Sequence, residues 1–246
     1  MVKPVQPNSE VDVLILCGGQ GTRLRSILKD RPKVLAQIGD RPFLDILIDE
    51  LKAHGFRRFI LSVGHLRDNI IDHIEKTGDK DKAQFLFSEE DSPLGTGGAL
   101  RKAAPLLRSD PFLVLNGDSI CSTNFDKFLA FHAERGGILS LVLATPRTSP
   151  DYGAVQLSGD GRVMHYGERV VPYDAHLASA GIYLMNQAVF DHLPRAATFS
   201  LEYDLFPHLI AHGSYGFVTD GALIDIGTPE RYEAARRFLQ KRKTHA

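Results

Sequence analysis

"VDVLILCGGQGTRLRSILKDRPKVL", Val11 to Leu35, is an apolar run that ends in a glycine cluster, followed by an Arg and then a Lys ten residues beyond it. The unbroken apolar run reads as a strand covered on both faces, and glycines at its end open a strand–turn–helix unit. Two common motifs share this layout, and both fail. The dinucleotide fingerprint needs G-x-G-x-x-G/A, the last small residue letting helix pack on strand. Counted from Gly19, that third position is Leu24. A P-loop places Gly-Lys-Ser/Thr after its first glycine, whereas Gly21 is followed by Thr22-Arg23. What remains is a loop of Gly18, Gly19 and Gly21 whose backbone N–H groups can face anionic oxygens. Arg23 and Arg25 add charge, and Lys33 follows Pro32 on a segment able to fold back to the same place. That density of donors suits a triphosphate. The competing reading is a tight turn with solvated arginines.

Working outward, 57–63, 83–89 and 111–117 repeat the apolar strand pattern of 11–17. Between them, 42–55 and 65–78 carry apolar residues at helical spacing, and each stops on a glycine. This alternation predicts an α/β fold with a Rossmann-like, doubly wound, mostly parallel sheet. The second half changes style. Residues 153–168 and 214–227 each read as two alternating runs joined by a turn, Gly-Asp-Gly in one and Asp220-Gly221 in the other, hence as hairpins. The expected organisation is one domain: an α/β part over 11–146 that carries the glycine loop, a smaller β-rich lobe at about 147–225, and a C-terminal helix over 226–246 with Pro229 in its first turn.

Net charge is −1 over 246 residues, which argues against a general nucleic-acid or membrane-surface binder. The start, "MVKPVQPNSE", has no apolar core, and no apolar run approaches the ~20 residues that span a bilayer. The expectation is a cytoplasmic protein. Cys17 and Cys121 are too few for a disulfide framework and read as reduced, buried thiols.

The opening stretch resembles the signature of the sugar-1-phosphate nucleotidyltransferases, G-G-x-G-T-R-L followed by P-K-P, with Pro32-Lys33-Val34 keeping the Lys and losing the second Pro. Four later segments match in order. The resemblance implies that Leu16, Gly18, Gly19, Gly21, Thr22 and Gly95 bind nucleotide, and that Arg23 and Lys33 hold the reacting phosphates. "SPLGTGGALRKA" (92–103) opens a helix on small residues, which suits a phosphate or base lying on backbone. Glu90 falls where members select the base. A carboxylate matches the adjacent N1–H and N2–H donors of guanine, and the competing reading is a solvated Glu beside Glu89 and Asp91.

Asp118 and Asp225 each follow an apolar strand and correspond to the family's two Mg²⁺ carboxylates, although either alone reads equally as a helix cap. On the sugar side the resemblance implies Tyr152-Gly153, Glu168, Arg169 in place of the usual Lys, Ser179 in place of the usual Asn, and Gly181. "FSLEYDLFP" (199–207) resembles one subgroup, the heptose-1-phosphate guanylyltransferases, and also reads as a helix start capped by Ser200. His208 and His212 lack the Glu of a zinc helix.

The reaction implied is NTP plus sugar 1-phosphate giving NDP-sugar and pyrophosphate, with GTP and D-glycero-α-D-manno-heptose 1-phosphate as substrates. Mannose 1-phosphate with GTP, or glucose 1-phosphate with CTP, are the alternatives within this chemistry. A non-catalytic nucleotide-sugar sensor is the alternative outside it. Partners are expected to be these small molecules, with neither nucleic acid nor membrane, and homo-oligomerisation is left open.

Overall fold

The structure, a computed structural model, describes residues 5–28, 30–77, 83–145, 154–167 and 177–243. The opening run forms β1 (Asp12–Leu16); a 3-10 turn, Thr22–Leu24, leads into the single-turn α1 (Arg25–Leu28). Pro32 starts a second such turn, Lys33–Leu35, before the small hairpin of β2 (Gln37–Ile38) and β3 (Arg41–Pro42). The alternation read from the sequence then follows: α2 (Phe43–Ala53), β4 (Arg58–Val63), α3 (Arg67–Thr77), β5 (Gln84–Glu89), α4 (Gly95–Ala103) and β6 (Phe112–Asn116). Next come β7 (Ser119–Cys121), α5 (Phe125–Arg135), β8 (Leu139–Ala144), β9 (Ala154–Leu157), β10 (Val163–Gly167) and β11 (Leu177–Met185). The chain closes with α6 (Phe206–Leu209), β12 (Ser214–Thr219), β13 (Leu223–Asp225) and α7 (Pro229–Lys243).

β5, β4, β1 and β6 lie side by side in that order and run parallel, because each helical crossover returns the chain in the same direction. β11 joins β6 antiparallel, β8 and β9 pair with β11, and β10 and β12 extend these, giving a mixed nine-stranded sheet. Side chains alternate across it: Val13 and Ile15 enter one core, Leu14 the other. α2, α3, α5 and α7 cover the first; α4 and the 189–209 stretch cover the second. Two covered faces are why the strands are apolar without a break. Among the described residues no helix is long and apolar enough to cross a membrane.

β9 and β10 make the hairpin expected within 153–168. The hairpin expected over 214–227 does not form. β12 runs parallel to β8 in the large sheet, while β13 pairs antiparallel with β7 in a separate two-stranded sheet. Asp220-Gly221 does lie between the two strands, but the chain crosses from one sheet to another, with Gly221 pressed on the Ser122 carbonyl. A turn signal sets a change of direction and leaves the partner strand to long-range packing.

From β1 the chain builds β4 and β5 on one side, then reaches β6 on the other. The carboxyl ends of β1 and β6 therefore form the topological switch point, where open α/β sheets bind ligands. Leu16 pairs with Asn116 there, and the Gly117 N–H donates to the Leu16 carbonyl at 3.0 Å.

Candidate active site

A pocket of about 310 Å³ opens at this switch point, lined by Leu16, Gly18, Gly19, Lys33, Glu90, Gly95, Thr96, Asn116 and Asp118 among others. Gly21, at φ +58°, lies against Lys33, a Cβ added to it falling 3.2 Å from the Lys33 Cβ, so the segment after Pro32 folds back on the glycine loop. Lys33 is nearly enclosed and its Nζ donates to Asp118 Oδ2. Thr22 and Arg23 are exposed on the following turn and do not line this pocket.

The β4–β5 ladder runs one residue past β5, the Glu90 N–H donating to the Val63 carbonyl at 2.7 Å. The Glu90 carboxylate is buried: Oε1 accepts from Ser62 Oγ at 2.8 Å and Oε2 from the Leu94 N–H at 3.3 Å. The solvated reading therefore fits Asp91, which is exposed and pairs with Arg67 and Lys102, and does not fit Glu90. A Cβ on Gly18 would sit 2.6 Å from Glu90 Oε1, so only glycine lets the loop pass this close.

Asp118 follows β6 and Asp225 ends β13. Register places Asp225 opposite Ser119, and the Ile226 N–H donates to the Asp118 carbonyl at 3.0 Å, which sets the backbones of the two acids side by side. Each has basic company: Lys33 at Asp118, and at Asp225 the Arg231 Nη1 at 3.3 Å, with the Gly227 N–H donating to the same oxygen at 2.8 Å. Among the described residues no group of three or more His, Cys, Asp or Glu gathers to hold a metal. Two carboxylates nevertheless suit Mg²⁺, a hard cation that takes few protein oxygens and fills its octahedron with phosphate and water. The donor set fits that ion.

Of the residues expected to serve the sugar, Gly181 has φ +71° where the β11 register shifts between Ser179 and Tyr183. A Cβ there would lie 2.8 Å from Asn116 Nδ2 and 2.9 Å from Ser119 Oγ, so β11 bulges onto the end of β6 beside Asp118. Ser179 is buried, its Oγ accepting from the Gly181 N–H at 3.3 Å. Tyr152, Gly153, Glu168 and Arg169 lie outside the described residues.

At the glycine-rich start of α4 the structure corrects one half of the sequence reading, the phosphate seat. Gly95 does line the pocket. The Gly97 and Gly98 N–H groups, however, both donate to the Phe199 carbonyl, at 2.9 and 3.3 Å, and so are not open to a phosphate. Those glycines admit the 197–199 segment: a Cβ on Gly97 would fall 2.2 Å from the Phe199 ring. Ser200 is indeed a cap, accepting from the Glu202 and Tyr203 N–H groups at the start of a π-turn, Leu201–Leu205. Ser62, Thr96, Asn116, Glu202 and Arg231 escaped the sequence reading. Ser62 meets Glu90 across 28 residues and Thr96 meets Glu202 across 106, so neither contact is visible locally, whereas Arg231, six residues from Asp225 and after a Gly-Thr-Pro turn, carried a local signal.

Burial disfavours the thiolate of both cysteines. Burial pushes Cys121 up to about 11, and burial, reinforced by Asp118 and Glu90, raises Cys17 further.

Residues 12–242 match the family described as Nucleotidyl transferase. The D-glycero-alpha-D-manno-heptose 1-phosphate guanylyltransferase of Aneurinibacillus thermoaerophilus is 32% identical over 232 residues, 94% of this chain and 99% of that protein. The Mannose-1-phosphate guanyltransferase of Yarrowia lipolytica is 33% identical over 223 residues, 89% of this chain but 61% of that protein, so the chain spans about three fifths of that relative's length. HddC from Yersinia pseudotuberculosis, also solved in complex with GMP-PN, superposes with a TM-score of 0.81 at 32% identity, covering 93% of this chain and 99% of its own. With the match running nearly end to end, and with a pocket at the sheet's switch point joining glycine loop, lysine and aspartate, the chain belongs to the nucleotidyl transferase family.

Proposed function

We propose that this protein is a cytoplasmic, Mg²⁺-dependent sugar-1-phosphate guanylyltransferase, with D-glycero-α-D-manno-heptose 1-phosphate as its sugar substrate. The observation that carries the reading is the gathering of the glycine loop, Lys33, Glu90 and Asp118 around one pocket. Similarity over nearly the whole length of a heptose 1-phosphate guanylyltransferase supports the choice of sugar. A mannose 1-phosphate substrate is the second reading, supported by the identity to the Yarrowia protein.

A sugar phosphate is already ionised at pH 7, so its oxygen attacks the α-phosphorus without a general base. One P–O bond forms, the bond to the β-phosphate oxygen breaks, and pyrophosphate leaves. The protein must supply position and charge neutralisation. Lys33 exchanges Asp118 for phosphate oxygens and bridges the reacting groups; Arg23, exposed beside the loop, takes the leaving pyrophosphate. Gly18, Gly19 and Gly21 hold the triphosphate on backbone. The two Glu90 oxygens, already fixed by Ser62 and Leu94, keep lone pairs for the N1–H and N2–H of guanine. Ser179 and Gly181, with Gly153, Glu168 and Arg169, serve the sugar phosphate. Asp118 and Asp225 would hold Mg²⁺, which when bound reduces repulsion between two anionic substrates.

The test is pyrophosphate release with Mg²⁺, the four common NTPs and dTTP each being offered with heptose, mannose or glucose 1-phosphate. GTP with the heptose phosphate is expected to turn over fastest, and Asp118→Asn and Lys33→Met each to lose roughly 10²–10³-fold in kcat. Preference for mannose 1-phosphate selects the second reading. Nucleotide binding without pyrophosphate from any pair refutes catalysis and leaves a sensor.

A further inference from the structure

The segment from Pro194 to Phe206 touches both halves of the site. Toward the nucleotide side, the Phe199 carbonyl caps Gly97 and Gly98, and Arg101 donates to the Ala196 and Pro194 carbonyls while its guanidinium lies 4.7 Å from the Phe199 ring centroid. Toward the sugar side, the Phe206 ring meets Tyr183 edge-on at 4.8 Å and Tyr166 at 5.4 Å. Between these contacts sits Glu202. Its Oε2 accepts from Thr96 Oγ1 at 2.8 Å and from Ser200 Oγ at 3.0 Å; its Oε1 accepts from the Tyr183 hydroxyl at 3.2 Å. Tyr183 meets Ser179 Oγ at 3.2 Å, and Ser179 Oγ accepts the N–H of Gly181, which rests on Asn116. Thr96 and Asn116 both line the nucleotide pocket. A chain of hydrogen bonds thus runs from Thr96 at the pocket through the Glu202 carboxylate to Gly181, which packs against Asn116.

Resting on the guanylyltransferase reading, we propose that Glu202 is a positioning residue that locks the nucleotide-side helix α4 to the sugar-side bulge of β11, so that the two substrate halves are held in one register. A carboxylate suits this place because it can accept from several hydroxyls at once, and each such bond is stronger than a neutral one. Thr96 is fixed from its other side as well, its Oγ1 accepting from the Leu201 N–H at 2.8 Å. Glu202 makes no part of the chemistry; it sets where Thr96 and Tyr183 stand relative to one another.

Equilibrium binding of a non-hydrolysable GTP analogue tests this, with circular dichroism used to confirm that each variant is folded. Glu202→Ala is expected to weaken binding about tenfold. Tyr183→Phe, which removes a hydroxyl on the sugar side, is expected to weaken nucleotide binding roughly three- to fivefold. Adding Tyr183→Phe to Glu202→Ala should cost nothing more, because the link is already cut. Glu202→Gln should recover most of the loss, since an amide oxygen still accepts from Thr96 and Ser200. In turnover, the KM values for GTP and sugar phosphate should rise together. Unchanged nucleotide affinity in Tyr183→Phe, or fully additive losses in the double variant, overturns the coupling. Should Glu202→Ala not fold, the Thr96→Val and Tyr183→Phe pair decides the matter, coupled losses supporting the link and additive ones refuting it. An unmodified protein that binds the analogue but releases no pyrophosphate counts against the guanylyltransferase reading alone. One that binds no nucleotide overturns both.

Discussion

At the scale of single residues, Glu90 shows how a side chain acquires a setting that its neighbours in sequence disguise. It sits between Glu89 and Asp91 in what reads as an acidic loop, yet the extra ladder bond to Val63 turns it inward to Ser62 and Leu94. A carboxylate fixed in this way selects by hydrogen-bond pattern, because a base lacking the matching donors leaves it unpaired. Glu90→Gln is therefore expected to lower kcat/KM for GTP by about 10- to 100-fold, the worth of a charge-assisted bond, while ATP and CTP change far less. An unaltered GTP preference would remove Glu90 from base selection. Glu90 was a candidate through the family resemblance of the segment leading into Gly95. Its burial was not legible, since no local pattern announces Ser62 as its partner.

At the scale of elements, the phosphate seat expected at the start of α4 and the hairpin expected over 214–227 are the two readings that the structure overturns. Glycines opening a helix look like an anion seat, because N-terminal N–H groups are unpaired within the helix. Here the Phe199 carbonyl satisfies two of them, and the small residues serve close packing. Gly97→Ala is expected to cost about 1–3 kcal/mol through overpacking against Phe199 and to lower the melting midpoint by several degrees. Gly19→Ala, where an added Cβ meets nothing within 4 Å, is expected to melt with the unmodified protein. Equal midpoints for the two variants would mean that the 197–199 segment does not press on α4. The elements themselves were legible: apolar runs gave β1, β4, β5 and β6, and helical periodicity gave α2 and α3 with ends within two residues. Partner choice for β12 and β13 was not, because alternation looks the same whether a strand pairs with its neighbour or with β8 and β7.

At the scale of the whole molecule, both cores bury groups that can lose a proton only at a cost. Cys17 and Cys121 lie in one, Tyr166 and Tyr183 in the other. Burial is the first cause of the raised pKa in all four, and Glu202 adds to it at both tyrosines. In the unfolded chain these groups ionise at their ordinary values, about 8.5 for a thiol and 10 for a phenol. Above those values the unfolded state holds fewer protons than the folded one, so stability falls as pH rises, by up to about 1.4 kcal/mol per pH unit for each group. For Cys121 that window runs from about 8.5 to about 11. Thermal melts are expected to be flat through neutral pH with respect to these groups and to drop steeply above pH 9. Both thiols should resist a thiol reagent at pH 8 until denaturant is added. Rapid native-state labelling would contradict the burial.

Reading residues in order was enough to establish the α/β alternation and the failure of both common nucleotide motifs, and to single out the glycine–Arg–Lys loop and, through the family resemblance of two short segments, the two later aspartates. Each of those rests on local spacing, hydrophobic period and short motifs, which are properties of neighbours in the chain. The inward Glu90, the Lys33–Asp118 and Arg231–Asp225 pairs, the capping of α4 by Phe199, and the hydroxyl chain through Glu202 came only with the folded molecule. Most join residues tens of positions apart or more, and even the nearest depends on how β13 docks against β7. Such contacts are chosen by packing and by the need to pair buried polar groups, neither of which leaves a periodic trace in the sequence.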